Sequence, residues 1–229
     1  MRKAPVIFSF AVLLCLTVIP TQAEADTLLY QQASLFPNST VLASQNDLGG
    51  LGNFATMYDD FTLSQNGTIN SATWDGGWFN GAGTGSISSF TIGFWSDASG
   101  QPGSLAFSTD IAGDANQTLL GTSNFGALTY SYSAAFAPFL ATTGTPYWIS
   151  IVANTTGGSS PQWGWDSTLF GGQSVQDFFG TRHHSSTDLT FALYNASTPV
   201  PEPATFVLLE SGILLLVCAT RRLNLLRSP

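Results

Sequence analysis

Apolar and polar residues alternate over many short segments of this chain, and helical periodicity is nearly absent. In residues 90–94 and 147–151, every second side chain is large and apolar, which predicts strands with one buried face. Similar segments, rich in β-branched and aromatic residues and bounded by Gly, Asn, Asp, Ser or Pro, are 58–63, 68–74, 88–95, 105–111, 128–136, 147–153, 162–165 and 189–194. The series predicts an all-β fold, an antiparallel β-sandwich or jelly roll.

The N-terminal segment 1–25 has the pattern of a secretory signal peptide. Arg2 and Lys3 precede an apolar run over residues 6–19. Ala23 and Ala25 provide small residues before Asp26, so we expect cleavage between Ala25 and Asp26. The run is short for a membrane span, which disfavours an uncleaved anchor helix.

The C-terminal segment 199–229 has three parts. Val200, Pro201, Glu202 and Pro203 come first, and an apolar stretch at about 204–220 follows, interrupted by Glu210. The basic pair Arg221 and Arg222 comes last. The prolines block a helix upstream. The apolar stretch predicts one transmembrane helix, whose arginines remain on the cytoplasmic side.

This three-part tail resembles the PEP-CTERM sorting signal of Gram-negative bacteria. The resemblance implies that a membrane enzyme of the exosortase type recognises the tail and processes the chain near Pro201-Glu202-Pro203. The protein would then be exported across the inner membrane and held transiently by its C-terminal helix. It would finally be delivered to the cell surface or the extracellular matrix. A plain C-terminal membrane anchor is the alternative.

The segment between the two ends, residues 26–198, is predicted to be a single β-sandwich ectodomain. Asp59-Asp60-Phe61, Trp74-Asp75-Gly76 and Trp163-Gly164-Trp165 are among the motifs that resemble ectodomains often carried by PEP-CTERM proteins. This resemblance implies the fold and the extracellular context, and it implies no catalytic residue. Both cysteines, Cys15 and Cys218, lie in the apolar end segments, so no disulfide is expected in the ectodomain.

Charge excludes several classes of partner. Only 9% of the 229 residues are charged, and the ectodomain contains no Lys and a single Arg, Arg182. Nucleic-acid binding requires clustered Lys and Arg, and we therefore exclude it. Phosphate clamps built on Lys are excluded for the same reason.

Aromatic residues favour a carbohydrate partner. Trp163 and Trp165 are two residues apart and are expected on one face of a strand. Trp74 and Trp78 flank Asp75-Gly76-Gly77, which resembles a turn that presents both rings at a rim. Sugars stack on exposed indole rings, so these four residues are candidates for binding an extracellular polysaccharide. The alternative is that they fill the core.

Signals for other chemistry are weaker. Asp59 and Asp60 are adjacent, so on a strand they point to opposite faces and do not share a site. His183 and His184 fit an exposed loop better than a metal site. A structural Ca²⁺ is the one candidate cofactor, held in the loops that contain Asp97, Asp110 and Asp114, although ordinary turns explain these segments equally well.

The sequence therefore predicts a non-catalytic cell-surface or matrix protein associated with exopolysaccharide. Two alternatives remain: a secreted Asp-dependent glycan hydrolase, and a structural coat component that contacts other proteins. An Asp with a raised pKa that faces another Asp across a cleft would favour the hydrolase. An uncovered apolar edge would favour the coat component.

Overall fold

The computed structural model describes residues 26–158 and 160–196. All regular secondary structure in these residues is β-strand, which confirms the all-β prediction. The strands are β1 (Thr27–Gln32), β2 (Val41–Ala43), β3 (Gln45–Asp47), β4 (Gly52–Thr62), β5 (Gly67–Phe79), β6 (Ile87–Asp97), β7 (Pro102–Ala112), β8 (Thr118–Thr122), β9 (Leu128–Ala141), β10 (Pro146–Thr155), β11 (Gln162–Phe178), β12 (Thr181–Leu189) and β13 (Phe191–Asn195).

The strands form two layers in a sandwich-like arrangement. In the first sheet, β5 pairs with β9 on one side, and β8 extends β9. On its other side, β5 pairs first with β13 and then with the beginning of β11, so its partner changes along its length. The strands β1 and β2 complete this sheet by pairing with β13 and β11.

The second sheet contains β7, β6, β10, β4, the end of β11 and β12. The short strand β3 pairs with β4 and, in parallel orientation, with β10. The long strand β11 therefore takes part in both sheets, with its first residues beside β5 and its last residues beside β4.

The hydrophobic core lies between the two sheets, where alternate residues of each strand meet. Phe90, Ile92 and Phe94 on β6 are fully buried, as are Ile149 and Ile151 on β10. This confirms the alternation predicted for β6. On β10, Ile149 and Ile151 share the core as predicted, but Trp148 is buried on the opposite face, so both faces of this strand are buried. Burial of aromatic side chains dominates the core, and removing such area from water stabilises the fold by about 25 cal/mol per Å².

Two local predictions were wrong. Asp75-Gly76-Gly77 lies within β5 and does not form a turn. Glycine is needed there for close approach: a Cβ at Gly76 would lie 2.8 Å from Cε2 of Trp163. His183 and His184 lie on β12 and not in a loop, although both are exposed as expected.

Both predicted targeting segments fall outside the described residues. These include the cleavage-site residues Ala23 and Ala25, the sorting motif at 200–203, and Arg221 and Arg222. Asp26, the predicted first residue after cleavage, begins the described region and is exposed. Within the described region, no helix is long and apolar enough to cross a membrane.

Candidate functional site

The four tryptophans predicted to stack on sugars are core residues. Trp163 and Trp165 are 0% exposed, Trp74 is 1% exposed and Trp78 is 3% exposed. The indole N–H of Trp163 donates to the hydroxyl of Tyr132 at 3.1 Å, and that of Trp165 donates to Thr190 O at 2.8 Å. Stacking on a sugar needs an open ring face, so the structure corrects this assignment. The largest aromatic side chains fill the space between the sheets.

The three candidate calcium ligands are not brought together. Asp97 pairs in register with Pro102, and Asp110 pairs with Thr91. Thr91 and Asp97 are six positions apart on β6, so the two carboxylates are separated by roughly 20 Å along an extended strand. Among the described residues, no group of three or more His, Cys, Asp or Glu side chains is arranged around a common metal position.

Asp97 and Asp110 instead have local hydrogen-bond partners. The carboxylate of Asp97 accepts from the indole N–H of Trp148 at 2.9 Å and from the backbone N–H of Gly100 at 3.1 Å. The hydrogen bond from Trp148 is the largest cause that lowers the pKa of Asp97, and the bond from Gly100 lowers it as well. Asp110 accepts from the hydroxyl of Thr91 at 2.6 Å. Both residues therefore support the β6–β7 hairpin.

An aromatic cluster covers the outer face of the second sheet. Tyr58, Trp148 and Val175 are buried there, and Trp95 packs against them. The guanidinium of Arg182 lies 5.9 Å from the centre of the Tyr58 ring and donates to Pro102 O at 2.8 Å. The only arginine of the ectodomain thus ties β12 to the β6–β7 turn.

Asp59 and Asp60 lie on opposite faces of β4, as predicted. Asp59 is 0% exposed and accepts hydrogen bonds from the backbone N–H of Leu189 and from the Gln32 amide. Burial raises the pKa of Asp59 well above its usual range. Asp60 faces outward, where burial, with the nearby Asp188 carboxylate, raises its pKa. The two adjacent carboxylates do not share a site.

A different pair of carboxylates, Asp75 and Asp166, meets on the outer face of the first sheet. Trp165 on β11 pairs with Gly76 on β5, and Asp166 and Asp75 are the next residues along the two strands. Trp165 faces the core, so the following residue points to the other side of the sheet. Cβ atoms of side chains in such positions are about 5 Å apart.

The loop between β1 and β2, residues 33–40, contacts both carboxylates. The hydroxyl of Ser39 donates to Oδ2 of Asp166 at 2.7 Å. The side chain of Ser34 is close enough to Asp75 to lower the pKa of that carboxyl. We call this segment the 33–40 loop. Its middle is held by Asn124, whose backbone N–H donates to Pro37 O at 2.8 Å.

The electrostatics of the pair are set by burial. Asp166 is 0% exposed, and Asp75 is 8% exposed. Burial is the largest cause that raises the pKa of Asp166 to about 7; the hydrogen bond from Ser39 opposes the shift, and the neighbouring Asp75 carboxylate adds to it. Burial also raises the pKa of Asp75. Oδ1 of Asp166 is buried and has no hydrogen-bond partner among the described residues.

Sequence reasoning missed this pair for two reasons. The segment around Asp75 was interpreted as a turn, and Asp166 follows the Trp-Gly-Trp motif without any signal of its own. The strand register brings them together, and the register of two distant strands cannot be deduced from spacing. Asp166 is 0% exposed beneath the 33–40 loop, whereas a glycan hydrolase holds its two carboxylates across an open cleft.

Residues 42–177 match the family described as Domain of unknown function (DUF7901). The chain belongs to the DUF7901 family. The match begins in β2 and ends in β11, so it includes Asp75 and Asp166 but neither Ser34 nor Ser39. No curated protein matches this DUF7901 chain.

Proposed function

We propose that this DUF7901 protein is an exported, non-catalytic component of the cell surface or extracellular matrix, sorted by a PEP-CTERM tail and associated with exopolysaccharide. The observation that carries the proposal is the order of segments in the sequence. A signal-peptide pattern precedes the ectodomain, and a Pro-Glu-Pro motif, an apolar stretch and an arginine pair follow it. The absence of Lys from the ectodomain sequence is consistent with a neutral or weakly charged partner.

Sorting is tested by expressing the full chain in a Gram-negative host that has an exosortase. We expect a secreted or surface-bound form whose N-terminus is Asp26 and whose tail has been removed. Joint substitution of Pro201, Glu202 and Pro203 by Ala should leave the tail attached, whereas Asn224→Ala in the same tail should be processed normally. Cytoplasmic protein that retains Met1, or equal processing of both variants, would refute the proposal.

The association with polysaccharide requires exposed aromatic rings, and the tip of the β11–β12 hairpin supplies them. Phe178 pairs with Thr181, so Phe179 and Gly180 form a two-residue turn with φ angles of 48° and 79°. Such turns favour Asn-Gly. Phe179 is nevertheless 58% exposed, and its ring lies 4.8 Å from that of Phe178.

A non-glycine residue at positive φ is strained by about 1–2 kcal/mol, and exposed aromatic rings gain little from folding. We therefore assign the polysaccharide contact to Phe178 and Phe179. Isothermal titration of the purified chain with exopolysaccharide from the producing cells tests this assignment. Phe179→Ala should abolish the binding heat, whereas Phe125→Ala, at another exposed phenylalanine, should preserve it. Equal heats for the two variants would remove this site from the proposal.

The coat-component alternative also has a specific observation in its favour. The strand β8 is paired on one side by β9 and carries Leu119, 58% exposed, and Leu120, 38% exposed. Phe125, in the turn that follows, is 70% exposed. An edge strand with exposed apolar residues can pair with another chain. Concentration-dependent assembly that Leu119→Lys abolishes would support this function, and a monomer at all concentrations would exclude it.

A further inference from the structure

We propose that the carboxylates of Asp75 and Asp166, together with the hydroxyls of Ser34 and Ser39, bind a Ca²⁺ ion that fastens the 33–40 loop to the first sheet. This site is distinct from the positions of Asp97, Asp110 and Asp114, the first two of which lie on β6 and β7. It also lies apart from the exposed phenylalanines assigned to polysaccharide. Its test is therefore independent of the proposed function.

The proposed ligands are side-chain oxygen atoms from two neighbouring strands and one loop. Asp75 and Asp166 each lie one residue beyond the last pair of the β5–β11 ladder, Gly76 and Trp165, and on the same side of the sheet. Ser39 donates to one oxygen of Asp166, and Ser34 is close enough to Asp75 to lower the pKa of that carboxyl. The four residues thus gather carboxylate and hydroxyl oxygens from two strands and both ends of one loop. Hard cations such as Ca²⁺ prefer oxygen ligands of this kind.

One carboxylate oxygen of the proposed site has no hydrogen-bond donor among the described residues. Asp166 is 0% exposed, and its Oδ1 has no hydrogen-bond partner among the described residues. A buried carboxylate oxygen without a partner is costly, because it has given up its water without replacement. An ion between the two carboxylates would satisfy this atom.

The ectodomain has almost no basic residue that could neutralise the two carboxylates. Arg182 is the only Lys or Arg between residues 26 and 198, and it is engaged on the second sheet near Tyr58 and Asp177. No positive side chain of the ectodomain is left to compensate Asp75 and Asp166. Neighbouring buried carboxylates repel each other, and a divalent cation reverses that interaction.

A recess at Asp75 provides room for water ligands. It has a volume of about 190 Å³, and its lining includes Ser34, Thr73, Asp75 and Thr190. Ca²⁺ takes six to eight oxygen ligands, so water molecules in the recess would complete the set provided by the protein. Two carboxylates give a moderate affinity, with a Kd of about 10⁻⁴–10⁻³ M, the range of extracellular calcium modules.

The test uses the purified full chain after calcium has been removed with a chelator. At about pH 8, above the pKa of about 7 for Asp166, titration with CaCl₂ should give saturable heat and a higher melting temperature. Asp166→Asn and Asp75→Asn should weaken binding roughly tenfold or more, because each removes a charged ligand. Asp110→Asn, at an exposed carboxylate, should bind Ca²⁺ as the unchanged chain does.

Terbium provides a readout that reports position. Tb³⁺ replaces Ca²⁺ in oxygen sites, and excitation of the neighbouring Trp74 should sensitise its emission. Asp75→Asn and Asp166→Asn should remove this emission, with near-UV circular dichroism showing that each variant is folded. No calcium-dependent heat or stabilisation at about 10 mM CaCl₂, well above the expected Kd, would overturn the proposal. Calcium binding that persists in both folded variants would also overturn it.

Discussion

The indole of Trp163 occupies the space that a side chain at Gly76 would need. A Cβ added at Gly76 would lie 2.8 Å from Cε2 of Trp163 and 2.8 Å from the backbone oxygen of Gly164. The neighbouring strands β5 and β11 thus bring the Trp163 ring close to the backbone of Gly76. Glycine in the interior of β5 leaves room for this ring.

We therefore expect Gly76→Ala to destabilise the fold by about 1–3 kcal/mol, the usual cost of overpacking a core. The backbone oxygen of Gly164 cannot move aside as the end of a flexible side chain would. Urea unfolding, monitored by tryptophan fluorescence, measures the change. Gly157→Ala is the matched control, because a Cβ there meets no atom within 4 Å. Equal stability of the two variants would contradict this account of the packing.

The second prediction concerns the hydrogen bond between Trp163 and Tyr132. Tyr132→Phe removes the oxygen that accepts the Trp163 indole N–H at 3.1 Å. The buried donor is then left without a partner, which costs about 1–3 kcal/mol. The free energy of unfolding in urea should fall by this amount. Tyr130→Phe, at a half-buried tyrosine nearby, should change it by less than about 0.5 kcal/mol. A similar loss in both variants would indicate a general effect of removing tyrosine hydroxyls.

Strands with one face in the core could be predicted from the sequence. On β6, the large apolar residues Phe90, Ile92 and Phe94 alternate with small or polar ones, and the structure buries the apolar set. The second half of β11 escaped prediction, because it is polar and glycine-rich and leaves one sheet to join the other. Alternation reports a single buried face, and a strand that changes sheets does not keep one.

Whether a tryptophan is buried could not be predicted from its neighbours in sequence. Trp163 and Trp165 lie on one face of a strand as expected, but that face points into the core. A two-residue period identifies the shared face and does not say which face meets solvent. The exposure of Phe179 could not be predicted either, because a phenylalanine before a glycine has no distinctive pattern.

The third prediction is a pH dependence due to Asp59. Its carboxylate faces Tyr30, Gln32 and the backbone of Leu189, with Asp188 and Asp60 nearby. Burial raises the pKa of Asp59 above that of the unfolded chain, so the folded state favours the protonated form. Its stabilising contribution is therefore fully present below the unfolded pKa of about 3.9 and is lost as pH rises through the folded pKa.

Asp59→Asn removes the charge and keeps an oxygen that can accept from Leu189. We expect the variant to gain free energy of unfolding relative to the unchanged chain as pH rises above about 4, and the gain should level off above the folded pKa of Asp59. Urea unfolding at a series of pH values measures the difference between the two proteins. Asp110→Asn provides the comparison at an exposed site. A difference that does not vary with pH would show that Asp59 has the same pKa in the folded and unfolded chain.

The fourth prediction separates stability from binding at Phe179. The turn formed by Phe179 and Gly180 has two positive φ angles, and asparagine adopts the first of them more readily than phenylalanine does. Phe179→Asn should therefore leave the fold at least as stable, with a gain of up to about 1 kcal/mol after loss of the contact between its ring and Phe54. Polysaccharide binding should be lost in the same variant.

Two measurements on the Phe179→Asn variant separate its effect on stability from its effect on binding. Urea unfolding gives the stability, and titration with exopolysaccharide gives the affinity. Phe178→Ala, which leaves the turn unchanged, should weaken binding without relieving strain. If Phe179→Asn lowers stability by more than about 1 kcal/mol, the ring contributes more to packing against Phe54 than its strain costs. The exposed phenylalanine would then be a structural residue, and the polysaccharide contact would have to lie elsewhere on the domain.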